Sequence, residues 1–338
     1  MAVLTSTNYW ETIFTELQEA IEENSRIKYL YIAKKYDQAI RAVEDRIRFF
    51  YGKNATDNKI PLRQAYKKLP PEQLEMFRDL IATYLRDWRK ELGYSSDEQP
   101  VDHAEKVSKK DTDAQTLERL LDEDTLNDAD KWVTLLEEYE TKPEVTQYEA
   151  LSIPILNEVE KASHSLGTTL LVLTAITGWV VYSDIAKHLK FATMSQEALK
   201  AELLKSWAAD NMNLYDRLST NKAKLSAAVK TSLLRGFRNE LSVDEVVTEV
   251  AKTMGIGEIA AKRLVVTENG FFNTHATYLA LKQAGFTHYR YNCRLLPTSC
   301  EDCIALHNTV FPLDAYEVGV TSPPLHPNCL CYISGEVI

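Results

Sequence analysis

Cysteine is missing from the first 292 residues of this 338-residue chain; Cys293, Cys300, Cys303, Cys329 and Cys331 all fall in the last 46. That excludes a disulfide framework bracing the whole molecule. Thiols confined to one end indicate a single local cluster in a reducing compartment, where metal is favoured over disulfides. Basic charge is also short, with 39 Lys and Arg against 49 Asp and Glu and a net charge of −10. Broad, non-specific coating of nucleic acid needs many cationic contacts, so that class is excluded, although a local basic patch is not. The start, MAVLTSTNYW, lacks a basic run, so no signal peptide is expected. No repeat of solenoid period is present. Residues 162–183, ASHSLGTTLLVLTAITGWVVYS, contain no Asp, Glu, Lys or Arg. As a helix this segment spans roughly 33 Å, enough for a bilayer. Its four Thr, three Ser, two Gly and one His fit a buried central helix better than a membrane-inserting one.

What is present is helical periodicity. Tyr29, Ile32, Tyr36, Ile40, Val43 and Ile47 recur at threes and fours within a helix expected over 8–54, with Asn8 as cap and Glu11 as its reciprocal partner. LPPEQ opens another helix at a proline-compatible first turn. The polar stretch 97–114 reads as a loop or insertion, and 115–140 as an acidic helix with a solvated face. Breakers are few over 184–240. Ser242 and Glu245 form a capping box ahead of a stripe of Val243, Val246, Val247, Val250 and Met254. A further helix is expected from about Ile259 to Ala284, with Gly285 as its stop. Then THYRYNC (287–293), TVFPL (309–313) and LCYIS (330–334) are short and β-like. The expected fold is mainly α: a long helical body with a small C-terminal α+β, cysteine-rich lobe. The expected divisions are an N-terminal helical region 1–96, the loop 97–114, a helical body 115–256, and a C-terminal domain 257–338.

The thiols follow a pattern: Cys300-x-x-Cys303, then His326-x-x-Cys329-x-Cys331. A C-x-x-C turn lets two thiolates reach one Zn²⁺ at about 2.3 Å, and a second short loop supplies the remaining ligands. Cys300, Cys303, Cys329 and Cys331 make a four-thiolate set, and His326 can replace one of them. His307 is a weaker candidate, and Cys293 reads as a small buried apolar residue. A site with four protein ligands leaves no place for water and is structural. Two other readings stay open: buried reduced thiols, and a disulfide between the two loops. A catalytic Cys–His pair is not expected, because no orienting acid or oxyanion-binding turn accompanies it.

TMGIGEIAAKRLV (253–265) has the form of a helix-hairpin-helix element. In such an element a turn at Gly255 and Gly257 and the next helix N-terminus would face a phosphate, with Lys262 and Arg263 assisting. The plainer reading is a tight turn between two helices.

Taken in order, four features resemble the phage Mu F-like minor head protein family. They are AAKRLVVTENGFFNTHATYLALKQAG (260–285) with Arg263, Thr267 and Glu268, then HYRYNC, then TSCEDCIALHNTVFPL, and the closing PPLHPNCLC. The resemblance is close over 260–333 and loose over most of the rest. Leu330 stands where the family usually has Arg, and Asn308 where a turn glycine is usual. The resemblance implies a low-copy virion component inside the phage head. It would associate with the portal protein and other capsid components during assembly in the host cytoplasm, and influence DNA packaging or ejection. No enzymatic activity is expected, and Zn²⁺ is the one cofactor envisaged. The alternative is a DNA-contacting factor that uses the GIG turn with Lys222, Lys224, Lys230, Arg235 and Arg238. A channel role for 162–183 at a membrane is a third reading.

Overall fold

The computed structural model describes residues 7–94, 128–191 and 210–337, with 194–195, 198, 201–202 and 205–208 between the last two blocks. The expected loop 97–114 and the first part of the expected acidic helix lie outside the described residues. The body consists of α1 (Thr7–Asn54), a short α2 (Leu62–Ala65), α3 (Pro71–Glu91), α4 (128–141), α5 (Gln147–Leu189), α6 (Leu214–Arg238) and α7 (Val243–Ala284). The lobe that follows holds β1 (His288–Asn292), α8 (Glu301–Leu306), β2 (Val310–Pro312) and β3 (Tyr332–Glu336). The mainly α body and the small α+β lobe expected from the sequence are both there.

The helices start where local chemistry favours them. Thr146 with Glu149, Asn213 with Asp216, and Ser242 with Glu245 each form a complete capping box, so two orphan amides are satisfied at each start. Pro71 occupies the first turn of α3, where its missing N–H costs nothing. Gly285 ends α7 in the left-handed conformation at φ 81°. Two boundaries differ from expectation. Thr7 and Asn8 are already helical, so Asn8 does not cap α1. Within the helical run expected over 184–240, α5 ends at Leu189 and α6 starts at Leu214, and of the described residues between them 198, 201 and 202 are helical.

The larger correction is at Gly255–Gly257, where no turn forms. Helix α7 runs through these residues without interruption from Val243 to Ala284, and the 256/257 division falls inside it. Gly257 answers to packing. A Cβ on Gly257 would lie 2.9 Å from Leu225 Cδ2 of α6, and one on Gly236 of α6 would lie 2.6 Å from Val246 Cγ2 of α7. These two small residues let the two helices approach closely. Gly255 faces open space.

Helices α1, α5, α6 and α7 share one core, with Ile32, Val43 and Ile47 packed against Ile155, Leu170, Val229, Leu233, Val250 and Val265. A second core joins α3 and α4 to the start of α5. There Asn157 Oδ1 accepts from the indole N–H of Trp88 at 2.9 Å and of Trp132 at 3.0 Å. The uncharged stretch 162–183 lies in the middle of α5. The helix is long and apolar enough to cross a membrane by length and composition, yet 61% of its apolar 18-residue window is buried. Here it is the central helix against which α1, α6 and α7 pack.

In the lobe, β1 is the middle strand of an antiparallel sheet ordered β2-β1-β3, with Tyr289 opposite Phe311 and Tyr291 opposite Ile333. Tyr289 and Ile333 are buried against Val181 and Ile185 of α5 and Leu281 of α7. Tyr291, two residues on, lies on the same buried face of β1 and packs further along it against the cysteine cluster.

Candidate metal centre

The C-x-x-C sits at the start of α8. Cys300 is its N-cap, and its sulfur accepts the Cys303 N–H at 3.4 Å. The second loop is tied to α7 by Thr267, whose Oγ1 accepts the Asn328 N–H at 3.0 Å and donates to the Arg263 carbonyl at 2.8 Å. Asn328 and Asn308 both adopt φ 64°, a conformation that asparagine tolerates better than most residues.

This anchoring brings the hooks together. His326 Nε2 lies 3.2 Å from Cys300 Sγ and 3.3 Å from Cys303 Sγ. Cys303 Sγ lies 3.7 Å from Cys329 Sγ and accepts the Tyr291 hydroxyl at 3.5 Å. Two groups of potential ligands result, Cys300–Cys303–His326 and Cys303–Cys329–Cys331, and Cys303 belongs to both. All five candidate metal residues therefore fall in one place. His307 and Cys293 belong to neither group. The Cys293 N–H bonds to His307 Nδ1 at 3.2 Å, and Cys293 is buried, as a small apolar residue would be.

The donor types suit zinc, and they form two groups of three that share Cys303. For a tetrahedron with Zn–S about 2.3 Å and Zn–N about 2.0 Å, ligand atoms should stand about 3.8 Å apart for S···S and about 3.5 Å for S···N. The 3.7 Å and 3.2–3.3 Å separations are close to those edges. His326 Nδ1 lies 2.9 Å from the Pro327 carbonyl oxygen. An N–H donated there leaves Nε2 free as a ligand and fixes the ring. Protons are unevenly held. Hydrogen bonding from the Cys331 thiol draws Cys329 down to about 5, while the same bond and burial push Cys331 up. Burial pushes Cys303 up to about 12, and the Cys303 N–H lowers Cys300. Cys329 is therefore the thiol most readily ionised, and a cation would favour ionisation of the others.

The phosphate candidates do not converge. Gly255 and Gly257 have their N–H groups inside a continuous helix. Lys262 pairs with Glu258 at 2.5 Å, and Arg263 is exposed. On α6, Lys222 is held between Asp128 at 2.6 Å and Glu160 at 2.9 Å, and Arg235 pairs with Glu249 at 2.6 Å. Two of the five cations of the expected basic face are thereby neutralised.

A cleft of about 1070 Å³ beside the cluster was not foreseen; His326, Tyr316, Lys224 and Arg263 are among its lining residues. On its floor lies Glu268, 1% exposed, paired with Arg217 and accepting the Trp207 indole N–H at 3.1 Å. Arg217 also meets Asp210 at 2.7 Å. A signal existed: Glu268 is the lone charge in the run LVVTENGFF, and a buried carboxylate needs a cation.

Residues 224–334 match the family model described as phage Mu protein F like protein. No curated protein and no solved structure matches the chain. The matched span runs from the middle of α6 into β3 and contains the whole thiol cluster.

Proposed function

We propose that this chain is a minor head protein of a tailed phage, carried in the virion at low copy. In this reading it associates with the portal in the procapsid and influences DNA packaging or ejection. The observation that carries the reading is that the span matching the family model contains a closed C-terminal lobe. Its two cysteine hooks meet at 3.2–3.7 Å. In our reading the centre is structural: Zn²⁺ on Cys300, Cys303, His326 and Cys329 has four protein ligands and no open position, which gives rigidity rather than turnover. The lobe also docks on the body, through Arg294 to Glu22 of α1 at 2.8 Å. A rigid lobe on long helices suits assembly contacts.

Two measurements test this. Virions and procapsids should contain the chain, and it should co-purify with portal protein; its absence from purified virions refutes the assignment. Elemental analysis should find zinc near one per chain, lost in both Cys300→Ser and Cys329→Ser. Zinc retained in either variant refutes this ligand set.

A further inference from the structure

We infer that Cys303 and Cys329 are an oxidative modification site, where a disulfide locks the C-terminal tail to α8 whenever the metal is absent. The inference rests on the clasp geometry and not on the phage head assignment.

The two sulfurs stand 3.7 Å apart, each on a residue 2% exposed. A bond of about 2.05 Å asks for less than 2 Å of approach, shared between the first turn of α8 and the tail. Of the alternatives, Cys300 is directed at the Cys303 N–H and at His326. Cys331 Sγ also stands within 4.8 Å of both sulfurs, so its pairings are what the Cys331→Ser variant below excludes. Access is provided from the other side of the lobe. Cys329 and Cys331 line a cleft of about 450 Å³ whose other walls include Tyr29 of α1 and Asn273 of α7.

With hydrogen peroxide as oxidant the chemistry balances. The Cys329 sulfur attacks one peroxide oxygen and the O–O bond breaks; Cys329 becomes a sulfenic acid and one water leaves. The Cys303 sulfur then attacks the Cys329 sulfur. The S–S bond forms, the S–O bond breaks, and the hydroxyl departs with the Cys303 proton as a second water. Each sulfur has lost one electron, and the peroxide has gained two. Because zinc uses the same two sulfurs, metal and disulfide exclude one another.

The experiment uses the full chain, stripped of metal by a chelator and exposed to hydrogen peroxide. Free thiols should fall from five to three, since five cysteines less one linked pair leaves three. Glutamyl endoprotease separates the cysteines, because Glu301, Glu317 and Glu336 place Cys303 in 302–317 and Cys329 and Cys331 in 318–336. A non-reduced digest should show these two peptides joined. The link should persist in Cys300→Ser and Cys331→Ser and vanish in Cys329→Ser. Preloading with zinc should slow its formation at least about tenfold, as a metal-bound thiolate is not free to react. A link that survives in Cys329→Ser, a Cys300–Cys303 link, five remaining thiols, or an unchanged rate with zinc would each overturn the inference. None of those results bears on whether the chain is found in virions.

Discussion

Lys28 offers the sharpest test of the packing. Its ammonium is 1% exposed at the crossing of α1, α5 and α7. Its partners are all neutral oxygens: Asn269 Oδ1 at 2.6 Å, and Thr174 and Thr177 Oγ1 at 3.4 Å. With no carboxylate to hold the charge, burial draws the group down from 10.5 to about 7. That gap corresponds to about 5 kcal/mol at 1.36 kcal/mol per pH unit. The sign follows from proton binding. Between pH 7 and 10.5 the unfolded chain holds the Lys28 proton and the folded chain does not. Stability therefore rises with pH across this window, by up to about 1.4 kcal/mol per unit. Below about pH 7 both states are protonated and the penalty is fully present. Lys28→Met removes the charge but leaves Asn269 Oδ1 without its donor, a loss of about 1–3 kcal/mol. The variant should be the more stable protein at pH 6, by about 2–4 kcal/mol, and should lack the rise between pH 7 and 10. Denaturant unfolding of both proteins over this range reads the difference directly, since every other titrating group is common to them. Parallel pH profiles, or a variant less stable at pH 6, would refute the argument that an unpaired ammonium sits in the core.

Other substitutions probe other parts of the fold. Gly255→Ala should raise the melting temperature, gaining up to about 1 kcal/mol of helix propensity, because its Cβ meets nothing within 4 Å; a loss would restore the expected turn. Gly236→Ala should lower it, because overpacking Val246 costs about 1–3 kcal/mol. Glu268→Gln strips Arg217 of its buried partner and leaves Asp210 alone, which should cost about 3 kcal/mol in denaturant unfolding. Asn157→Leu should cost about 2–4 kcal/mol, because it strands the indole N–H groups of both Trp88 and Trp132. In liposome flotation the native protein should stay at the bottom of the gradient, since the apolar window of α5 is mostly covered; flotation would return it to a membrane role.

How much of this was legible depended on whether a signal was local. Ser242 and Glu245 lie three residues apart and act on each other's amides, so their capping box could be read directly. So could the alternation in HYRYNC, which sets both tyrosines on the buried face of β1. Gly257 misled because a turn and a close helix–helix contact use glycine for the same reason, the absent Cβ. Only the neighbour distinguishes them, and Leu225 is 32 residues away. Lys28 was illegible for a related reason. In sequence it follows Ser25, Arg26 and Ile27 and reads as one more solvated cation, while the residues that enclose it are on helices near 174 and 269.

The same distinction explains the metal centre. Spacing alone brought five candidate ligands to one region, because C-x-x-C and H-x-x-C-x-C are each compact hooks. It could not rank them, since which sulfur meets which depends on the 22 residues between His326 and Cys303 folding back through β2. The register of that strand on β1 turns Tyr291 toward Cys303, so a tyrosine in a strand with no metal motif of its own decides how the shared sulfur is oriented. Thr267, in α7, likewise fixes the closing loop through the Asn328 amide. If these two contacts set the geometry, Tyr291→Phe and Thr267→Val should leave zinc stoichiometry near one per chain. They should also weaken the affinity by about 10–100-fold, the usual effect of removing an outer partner of a metal ligand. Zinc affinity unchanged in both variants would mean that the hooks find each other without the scaffold.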